Sequence, residues 1–382
     1  MNQLSLGVMA QSKKPDERRL ALHPSHLAQL TDDLRGRIFL ESGYGTGFGY
    51  RDEDLAGYVG GFRSHQQLID ECDVILQPKP LLSDISELRE GQVLWGWPHC
   101  VQDEQLTQVA IDRRLTLIAF EAMHHWNSDR SFGVHVFHKN NELAGYCSVL
   151  HALQLTGSSP NYGPRRTAAV IGFGSTARGA ITALNALGVH AVDALTHREP
   201  TAVSAPIPGV RLVQWNSPDS PDQPGHALTG AGIVPLPEFL AEHDIIVNCT
   251  LQDTDAPEMF LTDSDLAAIA PGSLIVDVSC DAGMGFSWAR PTSFRDPTFV
   301  IGRNVTYYAV DHSPSYLWNS ATWEISRALL PFVRTVLDGP DAWDADPTIS
   351  RAIEVRDGVI QNPAILTFQA RDPQHPHYPL AS

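Results

Sequence analysis

A chain of 382 residues, 43% hydrophobic and 19% charged, is long enough for two domains with separate cores and has the composition of an ordinary soluble globular protein. Its formal net charge of -17, with no basic stripe to offset it, argues against a nucleic-acid partner and means that an anionic cofactor must be drawn in by local groups. Five scattered cysteines without a CxxC pair, no apolar core behind the start MNQLSLGVMAQSKKPDERR, and no apolar run near the ~18 residues of a membrane span point to a reduced, cytoplasmic setting and away from a membrane.

In chain order, LSLGVM, RIFLES, DVILQP, QVLWGW and LTLIAFEA read as buried strands, with PSHLAQLTDDLR and DEQLTQVAIDRR between them as helices. Such alternation predicts a parallel sheet covered on both faces. The segment ESGYGTGFGYRDEDL spaces Gly43, Gly45, Gly47 and Gly49 wrongly for a phosphate fingerprint and reads as a flexible loop near the interdomain cleft. The pattern breaks at HHWNSDRSFGVHVFHKNN, NELAGYCSVLHALQLTG reads as one long helix, and SSPNYGPRR supplies turn residues. A second series follows: TAAVIGFG and its helix, HAVDALT, RLVQW, DIIVNCT and SLIVDVS, with PLPEFLAEH and TDSDLAAIA as further helices. Asn216 to Gly232 reads as a surface loop rich in Pro, Gly and Asp. The tail from about Asp311 holds a strong helix, SATWEISRALLPFVRTVL, but no third series, and is expected to pack on the first domain. The expected architecture is α/β: two Rossmann-like domains with parallel sheets and the active site in the interdomain cleft. Residues 1–140 and 311–382 form a discontinuous substrate domain, and residues 141–310 a dinucleotide-binding domain.

In TAAVIGFGSTARGA the glycines fall at a strand-to-helix turn. Gly172 permits the tight turn, Gly174 lets the backbone approach a pyrophosphate, and Ala177 takes the third position of G-x-G-x-x-G/A, where a small residue allows close packing. The pyrophosphate would rest on the free N–H groups at Ser175 and Thr176; the rival reading is a purely structural turn. The next strand ends at Thr196, His197 and Arg198, with no carboxylate until Glu199. A ribose 2′-phosphate is therefore not repelled, and a bond from Arg198 worth ~1.5–3 kcal/mol favours NADP(H) roughly tenfold to a hundredfold. Otherwise Arg198 is a surface arginine.

The motifs ERRLALHP, DVILQPKP, LWGWPHCVQ, LIAFEAM, the fingerprint and IVDVSCDAG occur in the order and near the spacing of the alanine dehydrogenase and transhydrogenase-like family, which the chain resembles over nearly its whole length. PHCVQ, VDHSPSYLWNSAT and the pairing of KNNELAGY with GFGSTARGA look closer to the secondary-amine-forming branch, the saccharopine dehydrogenases and above all the N5-(carboxyethyl)ornithine synthases.

Reducing a 2-keto acid to an amine needs a cation for the carboxylate, a donor to polarise the carbonyl or iminium, and an acid–base group titrating near neutrality. The resemblance assigns the carboxylate to Arg19 rather than the adjacent Arg18, the keto oxygen or the same carboxylate to Lys79, and general acid–base work to His99. It gives Asp281 a place near the nicotinamide and Glu121 a supporting role; Asp277 reads as structural. His312 stands where the family has an asparagine, which puts free ammonia in doubt as nitrogen donor. A larger donor needs a second pocket, for which Trp126, Asp129, Asn140, Asn141 and Glu142 are candidates, although the last three equally suit the cap of the long helix. His124, His125, His135 and His138 show no metal-ligand pattern, so no metal is expected. The implied activity is NADPH-dependent condensation of a keto acid, pyruvate foremost, with the side-chain amine of ornithine or lysine, in a homo-oligomer. Alanine dehydrogenation, saccharopine-type chemistry and a non-catalytic dinucleotide sensor are the alternatives.

Overall fold

The computed structural model describes residues 3–203, 205–217, 224–252 and 256–380. The chain forms two compact units, Met1–Phe137 with Trp318–Ser382, and His138–Leu317. The second therefore takes in residues 311–317, which the sequence reading placed with the tail.

In the first unit an eight-stranded sheet runs, by residue range, 359–360, 353–356, 116–119, 93–96, 74–77, 6–8, 38–41 and 61–63. From 116–119 to 61–63 all pairings are parallel, in the 3-2-1-4-5-6 order of a doubly wound fold. Ile353–Arg356 and Val359–Ile360 close one edge antiparallel. The runs VILQ, VLWG and TLIA are buried at every position, which is why they read as continuous apolar stretches. Alternate side chains serve opposite faces: Val74 and Leu76 join one core, Ile75 the other.

The second unit repeats the plan. Its nine-stranded sheet runs 232–235, 226–229, 210–216, 191–196, 167–171, 245–248, 274–277, 305–308 and 298–301. The stretch from 210–216 to 305–308 is parallel and again ordered 3-2-1-4-5-6. Val170, Val247 and Val276 face one core while Ile171, Ile246 and Ile275 face the other.

Several expectations are corrected. PSHLAQLTDDLR is a 3-10 segment, Pro24–Gln29, and a single α-turn, Asp32–Arg35. TDSDLAAIA is helical only as 3-10 over Asp265–Ala267. The tail helix is Trp318–Leu329, then 3-10 Leu330–Phe332, then Val333–Leu337; Pro331, lacking an N–H, interrupts the ladder. The described part of the supposed surface loop holds a hairpin, His226–Thr229 with Gly232–Pro235, that extends the sheet, while residues 218–223 lie outside the described residues. HHWNSDRSFGVH is also a hairpin, His124–Trp126 with Phe132–His135. The glycine cluster is a compact turn anchored by Tyr44, whose hydroxyl donates to Leu22 O at 2.7 Å. No helix of the described residues is long and apolar enough to cross a membrane.

Candidate functional site

In the first unit the chain reverses its strand order between 6–8 and 74–77, and the crevice beyond the carboxyl ends of such strands is where α/β sheets bind ligands. Val74–Gln77 leads directly to Lys79, Val93–Gly96 to His99, and Thr116–Ala119 to Glu121. Lys79 Nζ lies 2.7 Å from His99 Nε2, and Glu121 Oε1 accepts the His99 backbone N–H at 2.7 Å. The same oxygen stands 3.8 Å from His99 Nδ1. An ammonium only donates, so Nε2 accepts and the neutral imidazole carries its proton on Nδ1, toward Glu121. His99 holds a left-handed backbone, φ 51°, a strain of about 1–3 kcal/mol for a residue other than glycine. Its side chain keeps 42% of its surface exposed, so the ring is reachable. The Glu121 side chain is 26% exposed but its Oε2 is enclosed, and the desolvation of that group, with the charge of Glu354 after it, raises the carboxyl.

Arg19 is buried and its fork is occupied: Nε and Nη2 meet Glu17 Oε1 and Oε2 at 2.9 and 2.5 Å. The guanidinium also lies 5.4 Å from the Trp97 ring centroid. One edge of the guanidinium is thus spent on orienting it, which leaves Nη1 to meet a ligand. Arg18, in contrast, is exposed and stacks over Trp318 at 4.7 Å. In the same unit Trp126 lies under Arg351, and Asp129 caps the hairpin turn by accepting from Ser131 N–H and hydroxyl.

In the second unit, Gly172 has φ 100° and an added Cβ would sit 3.2 Å from Cys249 O. At Gly174, the N-cap of the helix Ser175–Ala186, an added Cβ would meet nothing within 4 Å. Ser175, Thr176 and Ala177 precede the first intrahelical bond, Arg178 N–H to Gly174 O, so their N–H groups point out of the helix end. A dinucleotide pyrophosphate fits this cradle, whose open space only a glycine preserves. Thr196 Oγ1 accepts the Arg198 backbone N–H at 3.2 Å, and the Arg198 side chain is exposed. His197 packs tilted against Trp215 with centroids 4.1 Å apart, and its Nε2 is 3.4 Å from Glu258 Oε1.

Beyond the strand Leu274–Asp277, the buried Asp277 accepts from Asn248 Nδ2 at 2.9 Å, Tyr307 hydroxyl at 2.5 Å and Cys280 N–H at 3.2 Å. Burial, outweighing these donors, pushes its carboxyl up to about 6. The network pins Cys280, itself at φ 60°, and so fixes the half-buried Asp281, whose carboxyl is also raised by burial. His312 is buried, with Nδ1 2.7 Å from Asp311 Oδ1 and its ring edge-on to Phe294. The long helix begins at His138, so Asn140, Asn141 and Glu142 lie in its first turns and none is its cap; Glu142 pairs with Lys139 at 2.8 Å. Among the described residues no cluster of three His, Cys, Asp or Glu side chains could hold a metal ion.

The structure thus brings Lys79, His99 and Glu121 together, and separately Gly172, Gly174, Ser175, Thr176 and Ala177. Sequence reasoning missed Glu17, Glu258 and Glu354. Glu17, two residues before Arg19, was available as a local signal; the other two reach their partners only through the fold.

Residues 7–144 match the N-terminal domain family described as alanine dehydrogenase/PNT, and residues 164–363 the corresponding C-terminal domain family. The chain is 27% identical to alanine dehydrogenase of Halomonas elongata, covering 92% of this chain and 93% of that one. It is 24% identical to N(5)-(carboxyethyl)ornithine synthase of Clostridium botulinum over 82% and 89% of the two chains. Among solved structures, an L-alanine dehydrogenase superposes with a TM-score of 0.73 at 22% identity, covering 96% of this chain and 99% of that one. The transhydrogenase from Sinorhizobium meliloti gives 0.69 at 20%, covering 94% and 99%. Both share the two-domain, mostly parallel α/β fold.

Proposed function

The chain belongs to the alanine dehydrogenase/PNT family, and from that premise we propose that this NAD(P)-dependent oxidoreductase acting on CH–NH donors uses NADPH to join a 2-keto acid to the side-chain amine of ornithine or lysine. Pyruvate is the keto acid of choice, and the product is an N-(1-carboxyethyl) amino acid made in the cytoplasm by a homo-oligomer. The observation that carries keto-acid chemistry is the 2.7 Å hydrogen bond between Lys79 and His99.

Lys79, a cation with three N–H donors beside His99, donates to the keto oxygen when the substrate is bound and polarises the carbonyl. His99 Nε2 takes up the proton released as the amine condenses and returns it to the departing water. Arg19, oriented by Glu17, binds the keto-acid carboxylate through Nη1. Asp281 holds the cationic amine or iminium. Gly172, Gly174, Ser175, Thr176 and Ala177 hold the pyrophosphate, with Thr196, His197 and Arg198 at the adenosine ribose. The bound cofactor supplies the hydride. His312, in place of the family asparagine, and the segment around it support a donor larger than ammonia.

Alanine dehydrogenation with free ammonia is the second reading, favoured by the higher identity and coverage of the Halomonas elongata relative. The test follows NADPH oxidation with pyruvate and, in turn, ammonia, ornithine and lysine, with mass spectrometry of the product. Ornithine or lysine gaining one carboxyethyl group is the expected result; alanine from ammonia alone selects the second reading. His99→Ala should abolish turnover while cofactor affinity is unchanged, and an unchanged rate removes His99 from the mechanism.

A further inference from the structure

The backbone that carries His99 is held from a distant part of the chain. The His99 N–H donates to Glu121 Oε1 at 2.7 Å, and the His99 carbonyl accepts from Gln102 and Asp103 N–H at 3.2 and 3.3 Å. The next carbonyl, that of Cys100, accepts from Gln369 Nε2 at 2.7 Å and from the Thr107 hydroxyl at 2.9 Å, and Val101 O accepts from the same Gln369 nitrogen at 3.2 Å. Three successive peptide groups are thus fixed, the third by a residue 269 positions further along the chain. A residue with φ 51° keeps that conformation only where its surroundings impose it.

Gln369 follows the helix Pro363–Phe368 and is buried, as are Arg371 and His377. Its amide can be turned only one way. Oε1 accepts from Arg371 Nε at 2.6 Å, which leaves Nε2 facing the carbonyls of Cys100 and Val101. Arg371 also donates to Gln108 Oε1 at 2.7 Å and Glu104 O at 3.2 Å, both on the helix Glu104–Asp112 that continues the His99 segment, and to His377 O at 3.2 Å. Among the described residues all four of its hydrogen bonds go to uncharged acceptors. A buried cation so served is costly, and apolar packing alone would fasten a tail to the sheet at less expense. What the guanidinium supplies is a rigid planar fork that joins the tail, the helix and the amide at Cys100.

We infer that Gln369 is a positioning residue for His99. Oriented by Arg371, its amide holds the Cys100 carbonyl and so keeps the imidazole in place at Lys79. The bearing of this on catalysis rests on the role proposed for His99, whereas the hold on the backbone does not.

Gln369→Glu separates positioning from mere anchoring of the tail. The variant keeps an acceptor for Arg371, now as an ion pair, but sets a carboxylate oxygen against the Cys100 carbonyl where an N–H stood. In hydrogen exchange on the full chain without substrate, the amides of residues 99–103 should exchange roughly two- to tenfold faster, the effect of losing one hydrogen bond, while those of the helix Ser175–Ala186 keep their rate. In turnover, measured with whichever nitrogen donor the wild type accepts, kcat should fall about tenfold to a hundredfold, with the KM for pyruvate and the affinity for NADPH unchanged. Gln369→Leu, which removes donor and acceptor together, should act in the same direction and decides the matter if the glutamate variant does not fold. Unchanged exchange overturns the hold on the backbone. A Gln369→Glu protein as active as the wild type, with activity lost only in Gln369→Leu, would mean that the tail merely anchors, and overturns the inference. His99→Ala in the same assay tells the failures apart: if it is inactive while Gln369→Glu is not, this inference alone falls, and if it too turns over normally, the role of His99 falls with it.

Discussion

A guanidinium's role depends on which of its edges are already taken. Arg19 spends one edge on Glu17, whereas Arg198 stands exposed at the end of the strand Ala191–Thr196. Glu258 comes near this end, but it is engaged by His197 and by the Ser217 hydroxyl. Arg198→Ala should accordingly raise the KM for NADPH about tenfold to a hundredfold, the worth of one charge-assisted bond of ~1.5–3 kcal/mol. The KM for NADH should stay where it was; equal losses with both cofactors would place Arg198 away from the 2′-phosphate. Lys79 and His99 were reached through the family resemblance, and both stand just after buried parallel strands, the position from which a side chain can face the crevice. Glu354 was not, since only the antiparallel return of the tail brings it beside the strand Thr116–Ala119, and no spacing in the chain encodes that meeting.

Among the elements, the two glycine-bearing helices show how close packing and cofactor binding divide between neighbouring residues. His138–Leu155 and Ser175–Ala186 cross so closely that a Cβ on Gly179 would lie 1.7 Å from Glu142 O, and one on Gly145 would lie 1.9 Å from Thr176 O. The fingerprint assigned close packing to Ala177, which is buried, yet the tightest backbone approach is two residues later. Gly179→Ala should destabilise the protein by about 1–3 kcal/mol or more by forcing the helices apart. Gly174→Ala, whose Cβ meets nothing within 4 Å, should leave the melting temperature unchanged but weaken NADPH binding. Thermal unfolding beside cofactor titration separates the two, and equal effects from both substitutions would contradict the division. The parallel strands were legible for a related reason: burial on both faces leaves an uninterrupted apolar run such as IIVN or LIVD. The hairpin His226–Thr229 with Gly232–Pro235 was not, because its turn residues and two-sided exposure carry no such run.

At the scale of the whole molecule, acidity acts on stability through a long-range and a local route, and they can be told apart. The net charge of -17 disfavours the compact state by self-repulsion, which protonation of carboxylates relieves and salt screens. Asp277 works locally: its carboxyl goes from an ordinary 3.8 in the unfolded chain to about 6 in the folded one because burial penalises the anion. Between those values the folded state holds a proton that the unfolded state has released, so stability falls as pH rises, by about 3 kcal/mol once pH exceeds 6. Glu121 and Glu354 act in the same direction. Asp193 works the opposite way: burial opposes its anion, but His243 and Arg211 outweigh that and hold it at about 2, so its contribution is lost only at lower pH. The melting temperature should thus decline from about pH 4 to neutrality. Asp277→Asn, which keeps an acceptor oxygen for Asn248 and Cys280 and turns an NH2 donor toward the Tyr307 hydroxyl oxygen, should flatten much of that decline even at high salt, where the long-range part is already screened. An undiminished slope in the variant would mean that the Asp277 anion is accommodated without cost, and that the acid dependence belongs to the net charge and to other buried carboxyls such as Glu354.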